Sequence, residues 1–408
     1  MCSVNAVSAL LTVDEALARV LAHTSPLPSE TVHLDDAAGR VLAEDAVAAV
    51  DLPRFPSSAM DGFAVRSADT PGKLRIVARI SAGRPAAWPL GPGEAMGIAT
   101  GGVVPDGADA VVPIERVTEG AEAVVVPEHA PAGINVRPRG GDVEQGARVL
   151  AAGTILSPSR LAALAAAGIA TPRCARMPRV AVLTTGTELR APGESLRDGE
   201  IYESNGLMLA ALLSAAGGLV KRHVSVADDA ELHRAALERA LDADVLVTSG
   251  GVSVGPHDLV RATLAELGAE EIFWGVAMRP GKPISFSARD GALVFGLPGN
   301  PVSSYVGAVL FVVPALRALQ GVREPTPTFR SGVLADAVQR RASRDDYQRA
   351  IVDTMAGGVV LRPILGQESH MIVRAAAADA LVHIPRGEGE LAAGSTVRYL
   401  PLDTVGAA

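Results

Sequence analysis

From Arg179 onward the sequence alternates apolar strands with helical segments, and this alternation constrains the fold more than any other feature. The strand-like runs include RVAVLTT, LVKRHVSV, DVLVTS and ALVFGL, and helix-forming stretches such as SNGLMLAALLSAAG and DAELHRAALERAL lie between them. Strands that are apolar along nearly their whole length are typical of parallel sheets covered by helices on both faces. The segment 179–325 is therefore predicted to be a doubly wound, mostly parallel α/β domain.

Three loops of this segment directly follow predicted strands and read TGTEL, SGGVSVG and LPGNP. Alone, each would be an ordinary turn or the start of a helix. At consecutive strand ends of one parallel sheet, such loops line the crevice where ligands bind, and glycine lets the backbone approach a phosphate closely. We therefore expect an anion-binding crevice here. The loops contain Glu188, Gly250, Gly251, Ser253, Gly255, Pro298, Gly299, Asn300 and Pro301.

The stretch AMRPGKP places two cations, Arg279 and Lys282, three residues apart around a Pro-Gly turn. An arginine can grip a phosphate as a planar fork, and a lysine acts as a point charge. A solvated turn is the alternative interpretation. The position just before a strand of the same sheet favours a role in anion binding.

Between about Val47 and Arg139 the pattern changes to short β-rich runs that Gly and Pro interrupt, which predicts a separate β-rich module. Asp61 precedes a glycine in SAMDGFAVR, Thr100 lies in IATGG, and Asp142 ends RPRGGD. Taken singly, these three motifs are turns.

The remaining segments of the chain are predicted to be helices and a C-terminal β region. The segment from Thr12 to Thr24 is predicted to be an amphipathic helix capped by Thr12, and Ser157-Pro158 begins a second helix that Gly168 closes. From about Thr326 the chain returns to short β-like runs, which predict a small barrel or sandwich.

Composition limits the classes of function. A chain of 408 residues needs two to four cores, and its net charge of −8 argues against general binding to nucleic acid. No run of 18 apolar residues and no signal sequence is present, so we expect no membrane span and a cytoplasmic location. The only cysteines, Cys2 and Cys174, suit a reducing compartment and cannot form a zinc site.

Eight motifs in order carry a resemblance to a known family. They are SAMDGFAVR, IATGG followed by GADAVVPIE, RPRGGDV, TGTELRAPGE, IYESNG, SGGVSVGPHD, MRPGKP and FGLPGNPVSS. The chain resembles the molybdopterin molybdenumtransferase family, which includes the E domain of gephyrin. The similarity runs from the first helix to beyond Arg317 and continues more loosely to the end.

The resemblance implies four domains in an elongated homodimer. Residues 1–46 and 147–178 would form a discontinuous, mostly helical domain, and residues 47–146 an inserted β-rich domain. The α/β domain of residues 179–325 would bind molybdopterin, and residues 326–408 would form a C-terminal β-barrel. The active cleft would lie between the α/β domain of one subunit and the β-rich domain of the other.

The resemblance also implies roles for individual residues. The catalytic residues would be Asp61, Glu188 and Asp258, and the ligands of Mg²⁺ would be Glu188, Asp228 and Asp258. Asp228 is preferred to its neighbour Asp229 as the matching acid. Substrate would be bound by Thr100, Asp142, Ser253, Arg279, Lys282, Gly250, Gly251, Gly255, Pro298, Gly299, Asn300 and Pro301.

The implied substrates are molybdate and adenylylated molybdopterin, with release of AMP; the adenylyltransferase and apo-molybdoenzymes are candidate protein partners. Two positions depart from the usual pattern, because Thr187 stands where an Asp is frequent and Arg279 where a Lys is frequent. The dithiolene sulfurs belong to the cofactor, so no catalytic cysteine is required.

Two other functions are alternatives to molybdenum insertion. The chain could be the adenylyltransferase that makes the adenylylated pterin. However, a GGTG-type loop is typical of that family, and this chain has GGVSVG instead. It could instead be a non-catalytic scaffold like gephyrin, although no added linker is present. Consumption of ATP would indicate the first alternative, and cleft mutants without any phenotype would indicate the second.

Overall fold

The computed structural model describes residues 10–223, 230–251, 259–355 and 357–403. Four of the predicted site residues, Asp228, Ser253, Gly255 and Asp258, lie outside the described residues.

The α/β domain is built on a six-stranded sheet in the order β16-β13-β17-β21-β20-β18. β20 runs in the direction opposite to the other five strands, which all share one direction, so the prediction of a mostly parallel sheet is confirmed. The elements of this region are β13 (Arg179–Thr184), β14 (Leu189–Arg190), β15 (Ile201–Tyr202), α3 (Asn205–Ala215), β16 (Leu219–His223), α4 (Ala230–Ala240), β17 (Val245–Ser249), α5 (Leu259–Glu266), β18 (Glu270–Trp274), β19 (Met278–Arg279), β20 (Ser285–Arg289), β21 (Ala292–Leu297), α6 (Pro301–Gly307) and α7 (Val313–Leu319).

Both faces of this sheet are buried. Alternate residues of β13 enter two cores: Val180 and Val182 pack into a cluster with α3, α6 and α7, whereas Ala181 and Leu183 pack into a cluster with α4 and α5. Successive side chains of a strand point to opposite faces, so a strand covered on both sides must be apolar throughout. This explains the continuous apolar run of β13.

A five-residue π-helical stretch, Ala308–Val312, joins α6 to α7. The combined helix Pro301–Leu319 is long and apolar enough to cross a membrane, but 83% of its apolar window is buried inside the protein. It is therefore the central core helix of the α/β domain.

The first helix, α1 (Val13–Ala22), begins with a capping box in which Thr12 and Glu15 bond to each other's backbone N–H groups. Its buried face, which includes Val13 and Val20, belongs to the α/β core cluster. The structure thus packs α1 against the α/β domain.

A small unit is formed by the two chain segments on either side of the β-rich module. Its elements are β1 (Ser29–Thr31), β2 (Ala46–Val47), β11 (Arg148–Leu150), α2 (Pro158–Ala166) and β12 (Arg173–Ala175). β1 pairs with β12 and β2 with β11, and Leu42, Leu156 and Cys174 share one core. The prediction of helices did not anticipate these strand pairs, which join segments more than 100 residues apart.

The β-rich module carries a second six-stranded sheet in the order β7-β4-β6-β5-β9-β8. Its elements are β3 (Ser57–Ser58), β4 (Gly62–Val65), β5 (Gly72–Ile80), β6 (Glu94–Ile98), β7 (Ala110–Pro113), β8 (Thr118–Glu119), β9 (Ala123–Val126) and β10 (Val136–Arg137). The two faces alternate here as well, since Phe63 and Val65 enter one core and Ala64 the other.

The C-terminal region is a closed barrel, because β24-β25-β22-β28-β26 form a row and β26 also pairs with β24. β19 of the preceding domain pairs with β24 and joins the two domains. The elements are β22 (Arg330–Leu334), β23 (Val338–Gln339), β24 (Asp345–Met355), β25 (Gly358–Pro363), α8 (Ile372–Ala375), β26 (Ala380–Ile384), β27 (Glu390–Leu391) and β28 (Thr396–Pro401).

Candidate active site

The three glycine-containing loops meet at one edge of the α/β sheet. Strands β13, β17 and β21 are adjacent and parallel, so their carboxyl ends coincide. The Thr185 N–H donates to the carbonyl oxygen of Ser249 at 3.2 Å, and the Gly250 N–H donates to that of Leu297 at 3.1 Å. These backbone hydrogen bonds extend the pairing of β13, β17 and β21 beyond the strand ends and hold the loops next to one another.

Gly250 and Gly251 both have positive φ, at +98° and +66°, a region that residues with a Cβ seldom adopt. A Cβ on Gly250 would lie 2.9 Å from the Thr185 carbonyl oxygen, and one on Gly251 would lie 2.6 Å from a methyl of Val260. The close approach of the first two loops therefore requires glycine at 250, and the close approach of α5 requires it at 251.

Asn205 holds the second and third loops together, a role that the sequence analysis missed. From the first turn of α3, its amide donates to the hydroxyl oxygen of Ser249 at 2.9 Å and to the carbonyl oxygen of Gly299 at 2.7 Å. The Ser249 hydroxyl in turn donates to the carbonyl oxygen of Pro298 at 3.2 Å. The motif IYESNG is one of the eight motifs that carry the family resemblance. Its position in the sequence does not show that its Asn contacts two other loops.

The LPGNP loop leads directly into α6. Asn300 is the N-cap residue and Pro301 the first helical residue, as is usual for proline. The Asn300 side chain makes no capping hydrogen bond, although its carbonyl accepts from the Ser304 N–H at 3.0 Å. The Val302 N–H donates to the carbonyl oxygen of Ser369 in the C-terminal region at 3.0 Å, so that region contacts the start of α6 next to this loop.

Glu188 lies on the loop after β13, at the crevice, with an exposed side chain. Its carboxylate folds against Gly186, where an added Cβ would be 2.6 Å from Oε2. Of the three predicted Mg²⁺ ligands, Glu188 alone belongs to the described residues. Within that part of the chain, no group of three acidic or imidazole side chains forms a ready metal site.

The cationic turn between β19 and β20 contacts the barrel. Arg279 forms an ion pair with Asp346 of β24, with 3.5 Å between Nη1 and Oδ2. Asp346 is almost completely buried and also accepts a hydrogen bond from the Gln348 amide at 3.1 Å. Arg279 is therefore held in place by the barrel, whereas Lys282 is exposed.

A cavity of about 510 Å³ opens beside this ion pair and is lined by Arg279, Arg341, Asp346 and Gln348, among others. Arg341 lies 3.7 Å from the same carboxylate oxygen of Asp346. One buried carboxylate thus faces two guanidinium groups, which leaves a net positive charge at the cavity wall.

A third arginine, Arg349, lies next to this region and was not foreseen from the sequence. It is 1% exposed, and its Nη2 donates to the carbonyl oxygens of Gly366 and Glu368 at 2.9 and 3.4 Å. Burial lowers the pKa of Arg349, and nearby Asp346 acts in the opposite direction. Its Nε is buried without a partner among the described residues. The sequence of β24 did not single out Arg349, because the strand also contains Asp345, Asp346, Gln348 and Asp353.

In the β-rich module, the structure brings Asp61 and Thr100 together. Asp61 immediately precedes β4, and its Oδ1 accepts a hydrogen bond from the Thr100 N–H at 2.7 Å. A Cβ on the next residue, Gly62, would lie 2.0 Å from the carbonyl oxygen of Val112, so the turn requires glycine. Both Asp61 and Thr100 are exposed.

Asp142 is also exposed and lies in the same module, where its N–H donates to the carbonyl oxygen of Leu52 at 2.8 Å. Within the described residues of this single chain, no hydrogen bond or ion pair joins Asp61, Thr100 or Asp142 to the crevice of the α/β domain. The predicted site residues therefore fall into two groups on two domains.

Three family models match successive regions of the chain. Residues 11–168 match the MoeA N-terminal region (domain I and II), residues 181–318 match a probable molybdopterin binding domain, and residues 331–402 match the MoeA C-terminal region (domain IV).

Individual proteins are similar over nearly the whole chain. Molybdopterin molybdenumtransferase 2 of Mycobacterium tuberculosis is 39% identical over 387 residues, which is 91% of this chain and 95% of that protein. Molybdopterin molybdenumtransferase of Haemophilus influenzae is 34% identical over 97% of this chain and 99% of its own length. The crystal structure of a molybdopterin biosynthesis MoeA protein from Pyrococcus horikoshii OT3 superposes with a TM-score of 0.83 at 28% identity, covering 96% of this chain and 100% of that one.

Proposed function

The chain belongs to the molybdopterin molybdenumtransferase (MoeA) family, and from this premise we propose that it inserts molybdenum from molybdate into adenylylated molybdopterin with release of AMP. It is accordingly a transferase of molybdenum cofactor biosynthesis. The adenylyltransferase alternative is not favoured, because the match extends over the N-terminal and C-terminal regions as well as the α/β domain.

The observation that carries the proposal is the convergence of three loops at the carboxyl ends of β13, β17 and β21. Gly250 and Gly299 bring bare backbone to the crevice, and a Cβ on Gly299 would lie 3.7 Å from the Gly250 Cα. Such a surface suits a pyrophosphate, since backbone N–H groups and a helix N-terminus can approach its oxygens closely.

The cations of the β19–β20 turn would hold the second anion. Arg279 is fixed by Asp346, and Lys282 is exposed three residues away. The buried guanidinium of Arg349 adds positive charge on the barrel side. A tetrahedral oxyanion such as molybdate needs several donors from different directions, and Arg279 and Lys282 would supply two of them.

Magnesium would be held by Glu188, Asp228 and Asp258. The exposed carboxylate of Glu188 at the crevice fits a hard cation that prefers oxygen ligands and keeps several waters. When bound, the ion supplies positive charge that neutralises phosphate oxygens. Glu188 itself would orient the adenylate, and Asp61, Thr100 and Asp142 would close the site from the other subunit.

A homodimer with a shared cleft would bring the two groups of residues together. Large apolar side chains near the crevice are exposed in the single chain, with Leu207 at 59% and Ile201 at 53%. Such exposure favours a surface that another protein covers. Mixing Asp61→Asn subunits with Glu188→Gln subunits tests the shared cleft, because one site of each mixed dimer would be intact. Recovery of AMP release on mixing is expected, and no recovery in mixed dimers would contradict the shared cleft.

The activity itself is tested with purified protein, adenylylated molybdopterin, molybdate and Mg²⁺. We expect AMP release together with reconstitution of an apo-molybdoenzyme, and no consumption of ATP. Glu188→Gln should lower metal-dependent AMP release by about 100-fold or more, whereas Glu194→Gln, on the same loop, should not. Asp258→Asn should behave like Glu188→Gln. Consumption of ATP would identify an adenylyltransferase instead, and cleft variants with unchanged activity and phenotype would support a scaffold.

A further inference from the structure

A second cavity, of about 280 Å³, lies between the core helix of the α/β domain and the barrel. One wall is apolar and comes from both domains: Val309, Val313 and Pro314 belong to the helix, and Leu400 belongs to β28. The other wall is formed by Arg317 of α7 together with Thr328 and Arg330 at the start of β22. Lys282 and the described residues of the crevice loops are not among its lining residues.

The two arginines of this cavity have no counter-charge among the described residues. Arg317 lies in the last turn of α7, its guanidinium makes no hydrogen bond or ion pair within the described chain, and burial is the one cause that lowers its pKa. The Arg330 side chain is exposed and is likewise unpaired within the described chain. No acidic side chain from the part of the chain that the structure describes lines the cavity. A partly buried guanidinium without a partner is unfavourable, and an anion in the cavity would relieve that cost.

We propose that this cavity binds a small organic anion whose carboxylate or phosphate head lies between Arg317 and Arg330. Thr328 also lines the cavity and would supply a hydroxyl donor, and the apolar wall of Val313 and Leu400 would cover the ligand's hydrocarbon part. The volume lies just below the range of roughly 300 to 1,000 Å³ that is typical of drug-sized ligands. The cavity therefore fits a ligand about the size of one substituted ring, smaller than a nucleotide.

Such a ligand would join two domains. Arg317 belongs to the α/β domain, and Arg330 begins the first barrel strand, after the connection that leaves α7. The barrel also carries Asp346, the partner of Arg279 in the candidate active site. A ligand in the cavity would therefore stabilise the packing of the barrel against the α/β domain. Binding of this ligand does not depend on the proposed reaction.

The test measures thermal unfolding of the full-length protein with benzoate, phenyl phosphate, inorganic phosphate and neutral benzamide. At near-saturating concentration we expect benzoate or phenyl phosphate to raise Tm by about 3 °C. The head-group preference between these two probes would show whether the natural ligand carries a carboxylate or a phosphate. Benzamide lacks the charge and inorganic phosphate lacks the apolar part, so neither should have this effect.

Substitution locates the binding. Arg317→Gln with Arg330→Gln should weaken probe binding at least about 10-fold, because two charge-assisted hydrogen bonds are lost. Arg330→Gln alone, at an exposed position, provides the same comparison if the double variant does not fold. Arg239→Gln on α4 is the matched control, and Lys282→Gln separates this cavity from the crevice. Equal shifts in the wild type and in the Arg330 variant, a shift lost with Lys282→Gln, or an equal response to inorganic phosphate would each overturn the proposal.

Discussion

The side-chain amide of Asn205 donates to the carbonyl oxygen of Gly299 at 2.7 Å and to the hydroxyl of Ser249 at 2.9 Å. One side chain at the start of α3 therefore holds the loops after β17 and β21 in register. The two loops belong to a crevice whose backbone is expected to surround a pyrophosphate, so the spacing between them matters for binding.

Replacement of Asn205 by Ala should loosen the crevice without unfolding the domain. Two hydrogen bonds are lost, and we expect a loss of about 1–2 kcal/mol in stability and a rise of about 10-fold in KM for the adenylylated pterin. Unfolding in urea and steady-state AMP release measure the two effects. Gln339→Ala removes a comparable amide bond, to Glu390, on the barrel and should leave KM unchanged. An unchanged KM for Asn205→Ala would show that the bridge does not position substrate.

The carboxylate of Asp61 accepts the Thr100 N–H, so its charge and its acceptor oxygen can be tested separately. Asp61→Asn keeps an acceptor for that N–H and removes the charge, and Asp61→Ala removes both. If the charge takes part in the reaction, both variants should lower kcat for AMP release by about 100-fold or more. Asp109→Asn is the control, since Asp109 accepts the Ser67 N–H in the same module at 2.6 Å. Near-normal turnover of Asp61→Asn would assign Asp61 a purely structural role.

Local patterns in the sequence were sufficient for the parallel sheet and for the loops that follow β13, β17 and β21. The continuous apolar run of β13 and the glycines at 250 and 251 are imposed by their immediate surroundings, and such requirements are visible in a single segment. The capped start of α1 at Thr12 is likewise local.

Contacts between distant segments were not predictable in this way. Asn205 reaches Gly299, 94 residues away, and Asp346 reaches Arg279 across 67 residues. Arg349 is a charged residue of β24 that the closure of the barrel buries. Charge and periodicity do not specify which domain surfaces meet, so these residues became visible only in the folded chain.

The ion pair between Arg279 and buried Asp346 gives a third prediction. Asp346→Asn should free Arg279 from its anchor on β24, and Arg279→Ala should remove the cation itself. We expect KM for molybdate to rise in both variants, by about 10-fold or more for Arg279→Ala. AMP release measured against molybdate concentration tests this, with KM for the pterin as an internal reference. Asp353→Asn, which breaks a barrel ion pair with Arg362, should change neither constant. Equal increases in both constants for Asp346→Asn would indicate general disruption of the barrel.

The fourth prediction concerns acid stability and rests on Asp244. Burial acts to raise the pKa of Asp244, but ion pairs with Arg176 and Arg179 and the Arg179 N–H lower it from 3.8 to about 2. Because the folded-state pKa lies below the unfolded one, this stabilisation is complete above about pH 4 and is lost as the pH falls towards 2. It amounts to about 2 kcal/mol.

Asp244→Asn should therefore reduce the free energy of unfolding at pH 7 by roughly this amount, and the difference from the wild type should disappear near pH 2. Denaturant unfolding between pH 2 and pH 7 measures both curves, and Asp336→Asn, at an exposed pair with Arg362, is the control. A difference that stays constant down to pH 2 would mean that the carboxylate's charge is not what stabilises this corner of the sheet.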